Sequence, residues 1–163
     1  MAEIWELVNK NGEKTGVKIS RDDKDKIPDG LYHPCVEVWV RVGDRLLISH
    51  RHPNKSEGLK YDAPGGAVVE GEELREAAAR ELFEEVGIKA SPDELEFIGA
   101  VGSGHFYAVT YMLRLDSLPE LTLQPTEVVG YKMVTRAELD SMADELCVNC
   151  KLRYLVYRDR LFY

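Results

Sequence analysis

The segment from residue 65 to residue 88 reads GGAVVEGEELREAAARELFEEVGI. Its apolar residues recur at every fourth position, at Leu74, Ala78, Leu82 and Val86. This spacing predicts an amphipathic helix over residues 73–86. Gly87 follows as a natural cap, because glycine readily adopts the left-handed backbone that ends many helices. We therefore expect one well-defined helix here and place the rest of the chain around it.

This helix and the loop before it are rich in glutamate. The segment holds seven: Glu70, Glu72, Glu73, Glu76, Glu81, Glu84 and Glu85. At about 100° per residue, Glu81, Glu84 and Glu85 share one narrow face. Like charges at this spacing each destabilise a helix by roughly 0.2–0.5 kcal/mol. The pattern predicts a compensating hard cation such as Mg²⁺, whereas Glu73 and Glu76 are interpreted as solvated charges.

The remaining sequence predicts several strands and two further helices. An N-terminal hairpin over residues 4–19 turns at Asn11-Gly12, and a polar loop covers residues 20–30. Strands are expected at 36–40, 45–49, 95–100, 105–115 and 128–134, with a long polar loop at 50–64. Helices are expected from near Arg136 and over residues 150–157, the latter with Leu152, Leu155 and Val156 at i, i+3 and i+4. We expect an α+β fold in one domain, residues 1–163, with a hairpin extension over about residues 1–30.

Composition and charge limit the partners and the cellular compartment that we expect for this chain. The chain has 163 residues and a net charge of −8. An acidic protein repels phosphate backbones, so we expect no nucleic-acid partner. No apolar run approaches the roughly 20 residues that span a bilayer, and the N-terminus lacks a secretory pattern, so we expect no membrane partner. Three cysteines form no even disulfide set, which favours a cytoplasmic setting.

The glutamate-rich segment resembles the signature of the Nudix hydrolase superfamily. That signature is a glycine, five residues, a glutamate, seven residues, and then Arg-Glu-apolar-any-Glu-Glu-any-Gly-apolar. Here Gly66 and Glu72 are followed by the run from Arg80 to Ile88, so all nine specified positions match across 23 residues. The signature covers about a seventh of the chain, and the order of hairpin, loop, signature and later strands is compatible with the whole domain.

The resemblance implies both a fold and a chemistry. The fold is an α/β/α sandwich around a mixed β-sheet. Glu81, Glu84 and Glu85 would bind Mg²⁺ or Mn²⁺ together with the carbonyl of Gly65, and one glutamate would help to activate water. Arg80 and Glu72 would brace the loop. The substrate would be a nucleoside diphosphate linked to another group, or a similar small molecule with a diphosphate, its charge neutralised by the metal.

Residues outside the signature are weaker candidates. The family often uses a further carboxylate from a variable position for a metal contact or as a base; Glu127, just before a strand, is either that group or a surface acid. Arg51 and Lys60 flank the signature in the long loop, so either contacts substrate phosphate or is a solvated charge. His105 lies in a glycine-flanked segment that would suit the rim of a pocket.

The pair Cys147 and Cys150 suggests a metal or redox motif but fits neither well. A structural zinc needs four ligands, and Cys35 is the one other cysteine. We interpret the pair as ordinary structural cysteines. The N-terminal hairpin and the C-terminal helix could form a homodimer interface.

Two alternative functions stay open at this point. The N-terminal order of elements and the surroundings of Arg51 and Lys60 resemble the isopentenyl-diphosphate isomerase branch of the same fold. Those isomerases place a catalytic cysteine where this chain has residues 63–66, Ala-Pro-Gly-Gly. A non-catalytic nucleotide sensor is the other alternative, although such proteins usually lose carboxylates of the signature.

Overall fold

The computed structural model describes all 163 residues. It contains nine strands: β1 (Ile4–Val8), β2 (Lys14–Ser20), β3 (His33–Val42), β4 (Arg45–Arg51), β5 (Tyr61–Asp62), β6 (Gly65–Ala67), β7 (Glu96–Ser103), β8 (Phe106–Leu115) and β9 (Val128–Thr135). Three α-helices accompany them: α1 (Leu74–Val86), α2 (Arg136–Ser141) and α3 (Val148–Leu161). No helix combines the length and the apolar character needed to cross a membrane.

Seven strands form one mixed sheet. Its main order is β5-β4-β3-β8-β7, with β6 paired to β3 and β9 paired to β4. The central pair, β3 and β8, is parallel, and the other pairs are antiparallel. Helix α1 packs on one face and helices α2 and α3 on the other. The predicted α+β class and the α/β/α sandwich around a mixed sheet are therefore confirmed.

The two faces of strand β3 serve two different cores. Val36, Val38 and Val40 pack toward α1, because alternate side chains of a strand point to opposite faces of the sheet. Trp39, on the other face, belongs to the core beneath α2 and α3. Glu37 shares the Trp39 face, which places a carboxylate beneath α3.

The hairpin of β1 and β2 forms a separate two-stranded sheet. It is attached through a bridge between Val8 and Tyr32 and through the Glu70 amide, which donates to the carbonyl of Ile4 (2.8 Å). Trp5 and Leu7 are buried at this attachment. The hairpin therefore packs beside the loop that precedes α1.

Three local predictions need correction. Residues 20–30 are not wholly irregular, because a 3-10 helix over Arg21–Lys26 begins where the Ser20 hydroxyl accepts from the Asp22 amide (3.3 Å). The loop predicted at 50–64 includes the end of β4 and the short strand β5.

The third correction concerns the C-terminal helix. It runs from Val148 to Leu161, longer than predicted, and its buried residues are Cys150, Tyr154 and Leu161. Leu152, Leu155 and Val156 are exposed, by 53%, 48% and 70%. The apolar spacing correctly indicated a helix there but not the face that packs on the sheet.

Candidate active site

A cavity of about 640 Å³ lies at the end of the sheet where β3 begins. Glutamates of α1 line one side, and residues from the first turns of α3 line another. The 3-10 helix at residues 21–26, the loop after β4 and the start of β8 complete the walls. The cavity therefore joins the signature segment to parts of the chain that are distant in sequence.

Helix α1 is fixed at both ends by local interactions. At its start, Glu73 and Glu76 form a reciprocal capping box, in which the Glu73 amide donates to Glu76 Oε2 (3.1 Å). At its end, Gly87 has φ 77° and its amide donates to the carbonyl of Phe83 (2.9 Å). These two glutamates, predicted to be solvated, thus also cap the helix.

Two consecutive glycines bring the loop close to the helix carboxylates. A Cβ on Gly65 would lie 2.1 Å from the carbonyl oxygen of Val36, because β6 runs tightly against β3. A Cβ on Gly66 would lie 2.5 Å from the carboxylate of Glu81. The Gly65 amide also donates to Glu85 Oε2 (3.2 Å). Neither position has room for a side chain.

Glu85 is the most buried carboxylate of this group, at 9% exposed. Loss of hydration on burial, together with the nearby charges of Asp62 and Glu81, raises its pKa to about 8. Burial also raises the pKa of Glu81, although the charge of Arg80 opposes this. Two buried acids so close together favour a compensating cation.

The donor set fits a hard divalent cation. Glu81, Glu84 and Glu85 line the same cavity as Gly65. Glu84 is the more exposed member, with 46% of its side chain accessible. Carboxylate and carbonyl oxygens are the ligands that Mg²⁺ and Mn²⁺ prefer. These residues would hold the ion.

Arg80 connects the loop to the helix. Its Nε and Nη2 donate to the two carboxylate oxygens of Glu72 (2.6 and 3.0 Å), and Nη2 also donates to the carbonyl of Ala67 (3.0 Å). Its Nη1 donates to Glu81 Oε1 (2.7 Å) and Glu84 Oε2 (3.2 Å). Such a bidentate pair fixes orientation as well as charge, so Arg80 holds both the loop and two of the glutamates.

Glu127 lies in the cavity as well, where it forms an ion pair with Lys55. Burial lowers the pKa of Lys55, and the charge of Glu85 opposes that effect. Sequence reasoning missed Lys55, since no motif or spacing distinguishes it from the other charges of the loop after β4.

The two basic candidates of that loop lie in different places. Arg51 lines the cavity, but it donates to Asp62 Oδ2 (2.9 Å) and to the carbonyl of Ser56 (2.7 Å). Lys60 does not line the cavity, and its Nζ donates to the carbonyl of Asp144 (2.6 Å). The structure brings Arg51 and Lys55 to the site, and not Lys60.

A second charged group faces the cavity beneath α3. Ligand-type atoms of Glu37, Asp62 and Cys150 lie within 4.8 Å of one another. Each carboxylate already has a cation, since Glu37 pairs with Arg153 (2.7 Å) and Asp62 pairs with Arg51. We therefore assign ion pairs here and not a metal centre. No sequence motif indicates this group, because its members come from three separate elements, β3, β5 and α3.

Aromatic and sulfur side chains complete the surroundings. His33 is buried, stacked on Trp5 (4.0 Å between ring centroids), and burial lowers its pKa to about 4. His105 lines the cavity and is exposed. Cys147 and Cys150 are free thiols, and burial raises the pKa of Cys147 to about 12, so it stays protonated at neutral pH.

The profile of the NUDIX domain matches residues 31–148. The chain belongs to the Nudix superfamily. An uncharacterised Nudix hydrolase of Listeria monocytogenes is 32% identical over 147 residues, which cover 86% of this chain and 84% of that protein. The isopentenyl-diphosphate delta-isomerase of Schizosaccharomyces pombe is 33% identical over 172 residues, covering 87% of this chain and 74% of the isomerase.

Solved structures share the Nudix fold. A protein of Deinococcus radiodurans superposes with a TM-score of 0.73 at 27% identity, covering 96% of this chain and 98% of that one. A bifunctional NMN adenylyltransferase/ADP-ribose pyrophosphatase of Francisella tularensis, in complex with AMP and a manganese ion, superposes with a TM-score of 0.69 at 19% identity. That superposition covers 86% of this chain and 45% of the Francisella tularensis chain.

Proposed function

We propose that this Nudix protein is a Mg²⁺- or Mn²⁺-dependent hydrolase of a diphosphate bond in a small molecule. A nucleoside diphosphate linked to a second group is the leading substrate class. The observation that carries the proposal is the Glu85 carboxylate, 9% exposed and near Glu81 and Asp62. A divalent ion bound there would offset the repulsion among these charges and attract the substrate diphosphate.

Each cavity residue then has a role. A bound divalent ion would neutralise the diphosphate and lower the pKa of a bound water. Glu81, Glu84, Glu85 and the Gly65 carbonyl hold that ion. Arg80 and Glu72 position these ligands.

The opposite side of the cavity supplies the remaining groups. Glu127 accepts the proton of the attacking water or adds a metal contact. Lys55, released from Glu127, and Arg51 contact phosphate oxygens.

One Nudix domain over residues 1–163 carries the activity in the cytoplasm, consistent with three free cysteines. The proposed activity involves neither a nucleic acid nor a membrane, and it is compatible with a homodimer.

Isomerase chemistry is disfavoured by the cysteines of this chain. The isomerase-like reading needs a reactive thiol near the carboxylates, yet residues 63–66 contain none. Cys35, Cys147 and Cys150 line the cavity, but burial raises the pKa of all three thiols, that of Cys35 to about 12. Isomerisation of a double bond is a transfer of protons, and a thiol with such a raised pKa is both a weak acid and almost free of thiolate base at neutral pH.

A hydrolysis screen with Mg²⁺ and Mn²⁺ tests the proposal. The panel contains nucleoside triphosphates, nucleoside diphosphate sugars, ADP-ribose, dinucleoside polyphosphates, coenzyme A and isopentenyl diphosphate. We expect metal-dependent turnover of at least one member. Glu85→Gln should lower kcat/KM by about a hundredfold or more, because it removes a charged metal ligand.

Glu120→Gln is the matched control, since Glu120 is exposed and outside the cavity. Circular dichroism should show that both variants fold. Activity of Glu85→Gln within about twofold of the wild type would contradict the metal-site assignment. If no member of the panel is hydrolysed and one member binds tightly, the nucleotide-sensor alternative is favoured.

A further inference from the structure

The wall of the cavity beneath α3 contains a buried charge pair that hydrolysis itself does not use. Glu37 lies in the middle of β3 and is 3% exposed. Arg153 comes from the second turn of α3, and 16% of its side chain is accessible. Both residues line the same cavity as Glu81 and Glu85. The pair therefore faces the space that a substrate bound at the glutamates would enter.

Glu37 is held rigidly in place. Its Oε1 accepts hydrogen bonds from the hydroxyl of Thr110 (2.8 Å) and from Nε1 of Trp39 (3.1 Å). Thr110 and Trp39 are fully buried, so neither donor moves freely. Its other oxygen, Oε2, lies 2.7 Å from Nε of Arg153. A fixed carboxylate thereby orients the guanidinium toward the cavity.

The guanidinium retains unused donor capacity. Nε of Arg153 forms an ion pair with Oε2 of Glu37, yet both atoms are buried and neither has a hydrogen-bond partner. A buried guanidinium without acceptors is costly, because charged donors lose their hydration without replacement. In an open cavity those donors are available to water or to a ligand. Their planar fork matches a ligand edge that carries two acceptors.

We propose that Arg153, oriented by Glu37, selects the group attached to the substrate diphosphate and requires hydrogen-bond acceptors on it. This deepens the proposed function and rests on it. The favoured class is a nucleoside diphosphate derivative, whose base and sugar offer acceptors. The disfavoured class is an isoprenyl diphosphate, because a hydrocarbon chain would displace water from a buried ion pair without replacing its hydrogen bonds.

The test compares ADP-ribose, UDP-glucose and CDP with isopentenyl diphosphate. The wild type should show kcat/KM at least about tenfold higher for the best nucleotide. The paired variant Glu37→Gln/Arg153→Met removes both charges together, because loss of one alone would leave an uncompensated buried charge. It should lower kcat/KM for that nucleotide by about tenfold to a hundredfold, mainly through a higher KM. The value of kcat/KM for isopentenyl diphosphate should stay the same or rise.

Two further variants separate selection from structure. Arg153→Lys keeps the charge but not the planar fork, so it should retain intermediate selectivity. Arg158→Met is the matched control on the same helix, because Arg158 pairs with Asp140 outside the cavity. Its selectivity should equal that of the wild type. Thermal unfolding verifies that each variant folds.

The outcomes distinguish the two proposals. Equal losses on both substrate classes in folded variants would overturn the selection role of Arg153, and so would a wild-type preference for isopentenyl diphosphate. Either result leaves metal-dependent hydrolysis intact. Failure of the wild type to hydrolyse any of the four probes or any member of the wider panel would overturn the proposed function, and this inference with it.

Discussion

Helices α1 and α3 have 13 and 14 residues and contribute to the same cavity from different sides. In α1 the periodic apolar residues Ala78, Leu82 and Val86 are the ones that pack on the sheet. In α3 the apolar residues Leu152, Leu155 and Val156 are exposed, and the packed side contains Cys150, Arg153 and Tyr154. The same kind of pattern therefore predicts the buried face of one helix and not of the other.

The difference follows from what lies beneath each helix. The sheet under α1 presents valines, so apolar burial alone orients the helix. The sheet under α3 presents Glu37, a carboxylate that needs a cation when buried. Rotation of α3 to bury Leu152 and Val156 would remove Arg153 from Glu37. Charge pairing thus helps to determine the face that α3 presents.

Substitution of the two glycines before α1 should cause two different defects, one in activity and one in stability. Gly66→Ala would move the Glu81 carboxylate, which is the flexible end of a side chain, and should lower kcat/KM by about a hundredfold while the protein stays folded. Gly65→Ala would collide with the rigid carbonyl of Val36 and should lower the free energy of unfolding by about 3 kcal/mol. Steady-state kinetics and urea unfolding on both variants provide the measurement. The reverse assignment of the two defects would contradict this account.

Single truncations should show which face of α3 contributes to stability. Leu161→Ala removes a fully buried side chain and should lower the free energy of unfolding by about 3 kcal/mol. Leu152→Ala, on the exposed face, should change it by less than about 0.5 kcal/mol in a monomer. Urea denaturation measures both. A large loss in Leu152→Ala that depends on protein concentration would instead indicate that this face forms a dimer.

His33, a buried residue of the cavity wall, should make stability depend on pH. Its folded pKa is about 4, below the value of about 6.5 for an unfolded chain. Between these values the unfolded chain binds the proton and the folded protein does not. Stability should therefore fall by about 2–3 kcal/mol as pH drops from 7 to 4.

The matched variants isolate that contribution. His33→Gln should lose this part of the pH dependence of urea unfolding, whereas His105→Gln, an exposed histidine of the same cavity, should keep it. Equal slopes in the wild type and His33→Gln would show that His33 does not contribute.

The smallest functional effect is expected at the first turn of α3. The variant Cys147→Ser/Cys150→Ser should keep its hydrolytic activity within about twofold and its metal content unchanged, because the thiols lie beneath the site as protonated groups. Elemental analysis and the hydrolysis assay test this. Loss of bound zinc would show that the cysteines and Asp62 form a metal centre after all.

The sequence by itself determined those features that depend only on the spacing of residues along the chain. The i, i+3 and i+4 positions of α1 place Glu81, Glu84 and Glu85 on one face whatever the remainder of the fold does. Its capping residues and Gly87 likewise act within one or two turns. The hairpins and most strands followed from alternation and turn residues. For this reason the fold class, the family signature and one side of the cavity were predictable.

The tertiary structure alone decided the other side of the cavity. Glu37, Lys55 and Arg153 are far apart in sequence, and none belongs to a motif. They line one cavity because α3 packs on the face of β3 that carries Glu37, and the loop after β4 brings Lys55 to the same space. Burial then determines their charges and partners, and burial is a property of the assembled protein that no spacing of residues encodes.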